Sequence, residues 1–315
     1  MAALWVVSFH ISGLWQGEMP VAGLGYLSVD VFFILSGFVL AHVHGEAFRR
    51  NSLAAYPQFL RRRVARIFPV WLAVLAVFAL KHRTPEIEHW LIYAGLAQAW
   101  GMVPTQLVNP PGWSVSLEWA GYLLFPLLAF VPLRLSSRAQ RIGAIVGLLT
   151  VLLAGYLVAG GISLHDDERW YALRFVCEFM IGIILRGLVT ETPDERFDRW
   201  ATIAGAVIVA AAIVVPMIGR NLAADMAMIA LFTFFLWALA QADGKLARGL
   251  GGGVAHWLGQ RSYSLYVVHW LLLETLWERV ASKPLAAALM IGGSIVAATI
   301  LYAVVERPAR ARLRR

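Results

Sequence analysis

The chain has 315 residues, of which 60% are hydrophobic and only 15% charged, with a mean hydropathy of +0.68; soluble domains carry about 25% charged residues. That balance excludes a soluble enzyme on a single anchor and predicts a polytopic membrane protein. The formal charge of +8 does not point to nucleic acid, because the basic residues collect in short loops beside apolar segments. The single cysteine, Cys177, excludes an intramolecular disulfide framework and a multi-cysteine metal site.

Apolar runs centre on 1–14, 26–44, 67–81, 114–132, 142–160, 171–189, 200–218, 222–240, 257–277 and 285–305. Each approaches the roughly 20 residues needed to cross a hydrocarbon core of about 30 Å. They predict an all-α membrane bundle of about ten transmembrane helices. The run at 90–100 is about half that length and reads as an interfacial or re-entrant element. With both termini cytoplasmic, the inner loops are 45–66, 133–141, 186–199, 241–256 and 306–315. They hold 19 of the 27 Lys and Arg residues, the outer side holds seven, including Arg169 and Arg174 near the start of the sixth run, and Arg261 sits at the inner end of the ninth run. This inward bias sets the expected orientation. No internal repeat and no long hydrophilic segment is visible, so the expectation is one integral-membrane domain over 1–315 without an appended soluble domain. The first run is short, which predicts a first helix truncated at its N-terminus. A cleavable signal sequence is not apparent.

Polar residues interrupt the apolar runs. His10 falls near the outer end of the first, Asp30 near the outer start of the second and Glu118 near the outer start of the fourth. A charge at the centre of a membrane helix costs about 2.5–3.5 kcal/mol on insertion scales, so such groups face a cavity or a partner. An imidazole beside a carboxylate is a common route to a general base near neutral pH. Ser114, Glu118 and Tyr122 recur at i, i+4 and i+8 and share a helix face. Interhelical hydrogen bonding or a buried ion pair explains the same residues without catalysis. On the inner side, Arg63 and Arg66 are i, i+3 in a run of arginines. Paired guanidiniums grip phosphates bidentately, and a positive-inside anchor accounts for them equally. Ser262, Tyr266 and His269 form an i, i+4, i+7 stripe on the ninth run, where His269 is either a packing or a reacting imidazole. No zinc-ligand spacing and no glycine-rich phosphate loop is present, so no metal is expected.

Taken in order, these stretches resemble the membrane-bound acyltransferase 3 family of bacterial O-acyltransferases over nearly the whole chain. The segment ending at His10 is similar to the family's first-helix histidine segment. Val29-Asp30-Val31-Phe32-Phe33-Ile34-Leu35-Ser36-Gly37-Phe38 resembles its second-helix signature. Arg63-Val64-Ala65-Arg66 resembles its Arg-x-x-Arg motif, and Trp113-Ser114-Val115-Ser116-Leu117-Glu118 its Trp-Ser-Leu-x-x-Glu pattern. The stretch from Ser262 to His269 and Glu306-Arg307-Pro308 are similar to its closing elements. The family's arginine eleven residues before the first-helix histidine has no counterpart, because that position falls ahead of Met1.

The resemblance implies transfer of an acyl group, usually acetyl, from cytoplasmic acyl-CoA (acetyl-CoA as donor substrate, no permanently bound cofactor) to a hydroxyl of a cell-envelope sugar or lipid-linked glycan. It implies a multi-pass protein of the bacterial inner membrane. His10 would be the base or transient acyl carrier, Glu118 and Asp30 would support the reaction centre, and Arg63 and Arg66 would bind the CoA phosphates. Trp113, Ser114, Ser116, Tyr266 and His269 would contact substrate. The rival from another class is a transporter or flippase for a lipid-linked sugar, which would move its substrate without releasing CoA. A different class of membrane acyltransferase with a buried histidine accounts for His269 but not for the early motifs.

Overall fold

The computed structural model describes every residue except 16–19, 82–85, 105–106, 166–167, 191, 220 and 313–315. Arg83, Arg220, Arg314 and Arg315, which enter the charge asymmetry, lie outside the described residues. Among the described residues there are helices and no strands, and a helix stands at each of the ten apolar runs. Six helices are long and apolar enough to cross a membrane: Gly25–Arg50, Ala54–Lys81, Arg138–Val158, Glu195–Met217, Leu222–Leu239 and Lys283–Arg312. The molecule is an all-α, multi-pass membrane protein.

We label the helices used below α1 (Ala2–Trp15), α2 (Ser28–Lys81), α3 (Gly112–Leu123), α4 (Arg138–Val158), α5 (Tyr171–Arg186), α6 (Glu195–Ile218), α7 (Leu222–Leu239), α8 (Gly253–Leu276) and α9 (Lys283–Leu301). Four of the expected runs, those of α1, α3, α5 and α8, fall short of the length or apolarity of the six. These are the helices that carry most of the polar residues singled out above, and their polar stretches lie against other helices. Eleven of the 16 residues of α5 are buried, whereas α4 buries only Leu152 and Tyr156. A helix facing lipid must be apolar along its length, while an enclosed one finds polar partners inside the bundle.

The segment 45–66, expected as a loop, belongs to the helix range Ser28–Lys81 and is helical on both sides of 51–53. Glu46 supports it locally through i+3 and i+4 pairs with Arg49 and Arg50. The helix is a hairpin and not a rod. The rings of Phe48 and Phe59 are 5.3 Å apart, whereas eleven residues of straight helix would separate them by about 16 Å. The apolar arms Gly25–Arg50 and Ala54–Lys81 therefore fold back on each other.

Contacts between helices give their relative directions. The first arm of α2 runs parallel to α5, with Asp30 beside Arg174 and His42 beside Arg186. The second arm runs parallel to α8, with Tyr263 bonded to the Ile67 carbonyl and Lys81 to Glu274. It runs antiparallel to α3, with Tyr56 bonded to the Leu123 carbonyl and Phe68 against Trp119. The chain between the second arm and α3 thus leaves and returns at one end of the bundle. Its helix, Ile87–Ala94, has eight residues, far too few to span.

The first arm of α2 crosses α5 at backbone contact. A Cβ on Gly37 would lie 2.0 Å from the Phe179 carbonyl oxygen, and one on Gly182 would lie 1.9 Å from that of Ile34. Small residues at such crossings let membrane helices pack through their backbones. Gly37 belongs to the second-helix signature, and this contact is a physical reason for glycine there.

Candidate active site

The polar face of α3 organises the centre of the bundle. Near its start, the Ser114 hydroxyl meets the Tyr266 hydroxyl at 2.7 Å, and Tyr266 donates to the Pro111 carbonyl at 2.9 Å. One turn along, Glu118 Oε1 accepts from Ser36 at 2.6 Å and from Tyr122 at 2.5 Å. The i, i+4, i+8 spacing therefore builds a column of hydroxyls and one carboxylate about 12 Å tall.

At the Ser114 end lies a pair of imidazoles. His10 Nδ1 is 2.9 Å from His269 Nε2, and His269 Nδ1 is 2.6 Å from the Tyr266 carbonyl. The ring planes lie within 19° of each other, and Trp270 stands edge-on to His10 at 5.2 Å. His10 is half-buried, whereas His269 is 1% exposed. The sequence reading paired the imidazole with a carboxylate. The structure corrects it: the partner of His10 is His269, and neither Asp30 nor Glu118 hydrogen-bonds to His10 among the described residues.

Asp30 is built into the scaffold. Arg174 Nε and Nη2 grip its two oxygens at 2.7 and 2.5 Å, and the same guanidinium donates to the Leu164 and Tyr26 carbonyls. Glu178 lies 3.8 Å from Arg174, and all three side chains are buried. Asp30 thus serves as the counter-ion of a charge enclosed by protein, not as a group presented to substrate. Ser116 is also committed: it donates to the Leu96 carbonyl and accepts from the Ala99 amide, tying the segment after Ile87–Ala94 to α3. Trp113 stacks on Tyr171 at 4.0 Å and meets Phe33 edge-on. Of the five residues assigned to substrate contact, Ser114, Tyr266 and His269 join the imidazole end of the column, while Ser116 and Trp113 hold α3 to its neighbours.

At the Tyr122 end opens a cavity of about 430 Å³ lined by His44, Arg62, Arg63, Arg66 and Arg310, with Val43 and Ala65. Arg63 lies 5.8 Å from the ring centres of both Phe59 and Tyr122, and its buried Nε has no hydrogen-bond partner among the described residues. Glu306, fully buried, accepts from Ser264 at 2.7 Å, from Arg66 at 3.3 Å and from Arg310 at 3.4 Å. Four guanidiniums against one carboxylate leave a cationic hollow suited to a polyanion. Sequence reasoning singled out Arg63 and Arg66 but not His44, Arg62 or Arg310 as fellow members. It placed Ser262 on the site stripe, whereas Ser262 bonds the Gly259 carbonyl and Ser264 faces Glu306. It also counted Arg174 as an outer charge. The i, i+4 spacing of Arg174 and Glu178 within an apolar run was the available signal for a buried ion pair.

A family model described as an acyltransferase domain matches residues 1–303. The acyltransferase MdmB of Streptomyces mycarofaciens is 30% identical over 92% of this chain and 82% of its own length. The peptidoglycan O-acetyltransferase OatA of Listeria monocytogenes is 22% identical over 98% of this chain, which spans 54% of that protein. The exopolysaccharide production protein ExoZ of Rhizobium meliloti is 29% identical over 51% of this chain and 50% of its own length. No solved structure matches.

Proposed function

The chain belongs to the acyltransferase 3 family of membrane acyltransferases, and from that premise we propose that it transfers an acyl group, acetyl, from cytoplasmic acyl-CoA to a hydroxyl of a cell-envelope sugar or lipid-linked glycan. The observation that carries the donor assignment is the column on α3. It joins a cationic hollow fit for the CoA phosphates to a half-buried imidazole 12 Å or so away along the helix. The phosphates dock on Arg62, Arg63, Arg66 and Arg310, and the pantetheine arm follows the column past Tyr122 and Glu118. His10 acts as general base on the acceptor hydroxyl. The names of OatA and ExoZ support a glycan acceptor.

The ten-span topology with cytoplasmic termini, and residence in a bacterial inner membrane, belong to the same reading. The inward charge bias supports them, as do the parallel pairing of α2 arms with α5 and α8 and the return of the 82–111 segment to its own side. The arginine hollow then opens to the cytoplasm and His10 lies toward the outer leaflet.

The test is CoA release from acetyl-CoA by the purified chain with a cell-envelope glycan extract. A positioned base contributes roughly 10²–10⁴ in rate, so His10→Ala should lose at least about 10²-fold. Arg63→Ala with Arg66→Ala should raise KM for acetyl-CoA at least about tenfold with kcat less affected, because phosphate contacts made equally in ground and transition state act on KM. Near wild-type release from folded His10→Ala would sink the role of His10. Transport of a lipid-linked sugar without CoA release would favour the flippase.

A further inference from the structure

Resting on the reading of His10 as the reacting base, we propose that His269 is the positioning residue that fixes the tautomer of His10, so that the two rings act as one dyad with His10 Nε2 as the reacting atom. The Tyr266 backbone carbonyl oxygen can only accept, so His269 Nδ1, 2.6 Å away, carries a hydrogen. In the neutral ring Nε2 is then a lone pair. It lies 2.9 Å from His10 Nδ1, which must donate to it. His10 therefore holds its hydrogen on Nδ1, and its lone pair is on Nε2.

Three further observations fit that division of labour. Both nitrogens of His269 are occupied within the protein and the residue is 1% exposed. His10 Nε2 has no hydrogen-bond partner among the described residues, and its ring is only half-buried. Among the described residues no carboxylate bonds either ring, and His269 is the group that sets the tautomer. Trp270 on one side and Phe9 on another hold the plane of the His10 ring. A lone imidazole distributes its hydrogen over both nitrogens, and the fraction with hydrogen on Nε2 is useless as a base at that atom.

The chemical step balances within the dyad. The acceptor O–H breaks and its proton passes to His10 Nε2 while the oxygen bonds the acyl carbon. The C–S bond then breaks, and the leaving thiolate takes the proton from the same Nε2. In between, the imidazolium charge of His10 is shared through Nδ1–H with His269 Nε2 and, beyond it, the dipole of the Tyr266 carbonyl. Each ring ends in its starting tautomer.

The experiment uses the full chain in lipid nanodiscs with ¹⁵N-histidine. His10→Gln identifies the His10 resonances by difference, and acetyl-CoA with the envelope glycan extract supplies the rate. In wild type, His10 should show a protonated Nδ1 and a bare Nε2. His269→Leu should move its hydrogen partly or wholly to Nε2 and lower kcat by about 10²-fold or more, with KM for acetyl-CoA within about twofold, as loss of the correct tautomer does in other base dyads. His269→Gln, whose Oε1 accepts as the imidazole Nε2 does, should keep the tautomer and hold the rate within about tenfold of wild type. A His10 with its hydrogen on Nε2 in wild type, or an unchanged tautomer and rate in His269→Leu, overturns the proposal. Should His269→Leu not fold, the tautomer in His269→Gln decides alone: hydrogen on Nε2 overturns it and hydrogen on Nδ1 supports it. An active His10→Ala would instead defeat the functional reading, while the resonances still report on the dyad.

Discussion

Asp30 and Arg174 form an ion pair with the Glu178 carboxyl beside it in a space that water does not reach, so their substitution effects are ordered by what each removal leaves behind. Arg174→Met leaves two buried carboxylates without a cation. Breaking a buried pair from one side costs about 3–5 kcal/mol, and this variant should lose at least that much. Asp30→Asn should lose less, because Glu178, 3.8 Å from the guanidinium, remains as its counter-ion. Thermal unfolding in detergent checks the order, and a less stable Asp30→Asn than Arg174→Met contradicts the account. At this scale the sequence was informative about residue type and weak about partner. That His10, Glu118, Arg63 and Arg66 stand out follows from the cost of polar groups in an apolar chain. That His10 meets His269, 259 positions away, while Glu118 meets Ser36 and Tyr122, depends on which helices pack together, and no local pattern encodes that.

At the scale of elements, α2 and α5 cross at backbone contact. Any side chain at Gly37 or Gly182 collides with a backbone carbonyl at about 2 Å, and backbone cannot step aside as a side chain tip can. Gly37→Val should force the helices apart and destabilise the protein by more than the roughly 1–3 kcal/mol typical of core overpacking. The displacement would pull Ser36 from Glu118 and reduce acyl transfer as well. A Gly37→Val protein with wild-type melting temperature and CoA release would show that the crossing is not needed. Helix positions were legible from apolar run length, and the shortness of the 90–100 element was legible for the same reason. The helical structure on both sides of 51–53 was not, because a polar, arginine-rich stretch reads as a solvated loop. The hairpin is held by ring contacts such as those of Phe59 with His44 and Phe48, which only the folded arrangement reveals.

For the whole molecule, the proposed topology makes an accessibility prediction. Cys177 is buried and the only cysteine, so Cys177→Ala gives a clean background for single labels. Ser136 and Ala281 are both exposed and fall on opposite sides in the ten-span reading. In intact spheroplasts a membrane-impermeant maleimide should label Ala281→Cys and not Ser136→Cys, and permeabilisation should equalise them. The reverse pattern inverts the orientation, and equal labelling of both in intact cells contradicts the span count. The same orientation places the arginine hollow where acyl-CoA is found.

Composition and the order of apolar runs were enough to establish an all-helical membrane protein. The motifs in that order pointed to its family. Both are properties of the chain read one segment at a time, because partition into lipid depends on the local density of apolar side chains. Only the packed bundle decided that Asp30 is a scaffold counter-ion, that His10 is partnered by an imidazole, and that Arg310 and His44 join Arg63 and Arg66 around one cavity. Those outcomes depend on helix direction, depth and rotation relative to distant neighbours. In a medium where every helix is apolar outside, the hydrophobic pattern that would report such rotation is largely absent.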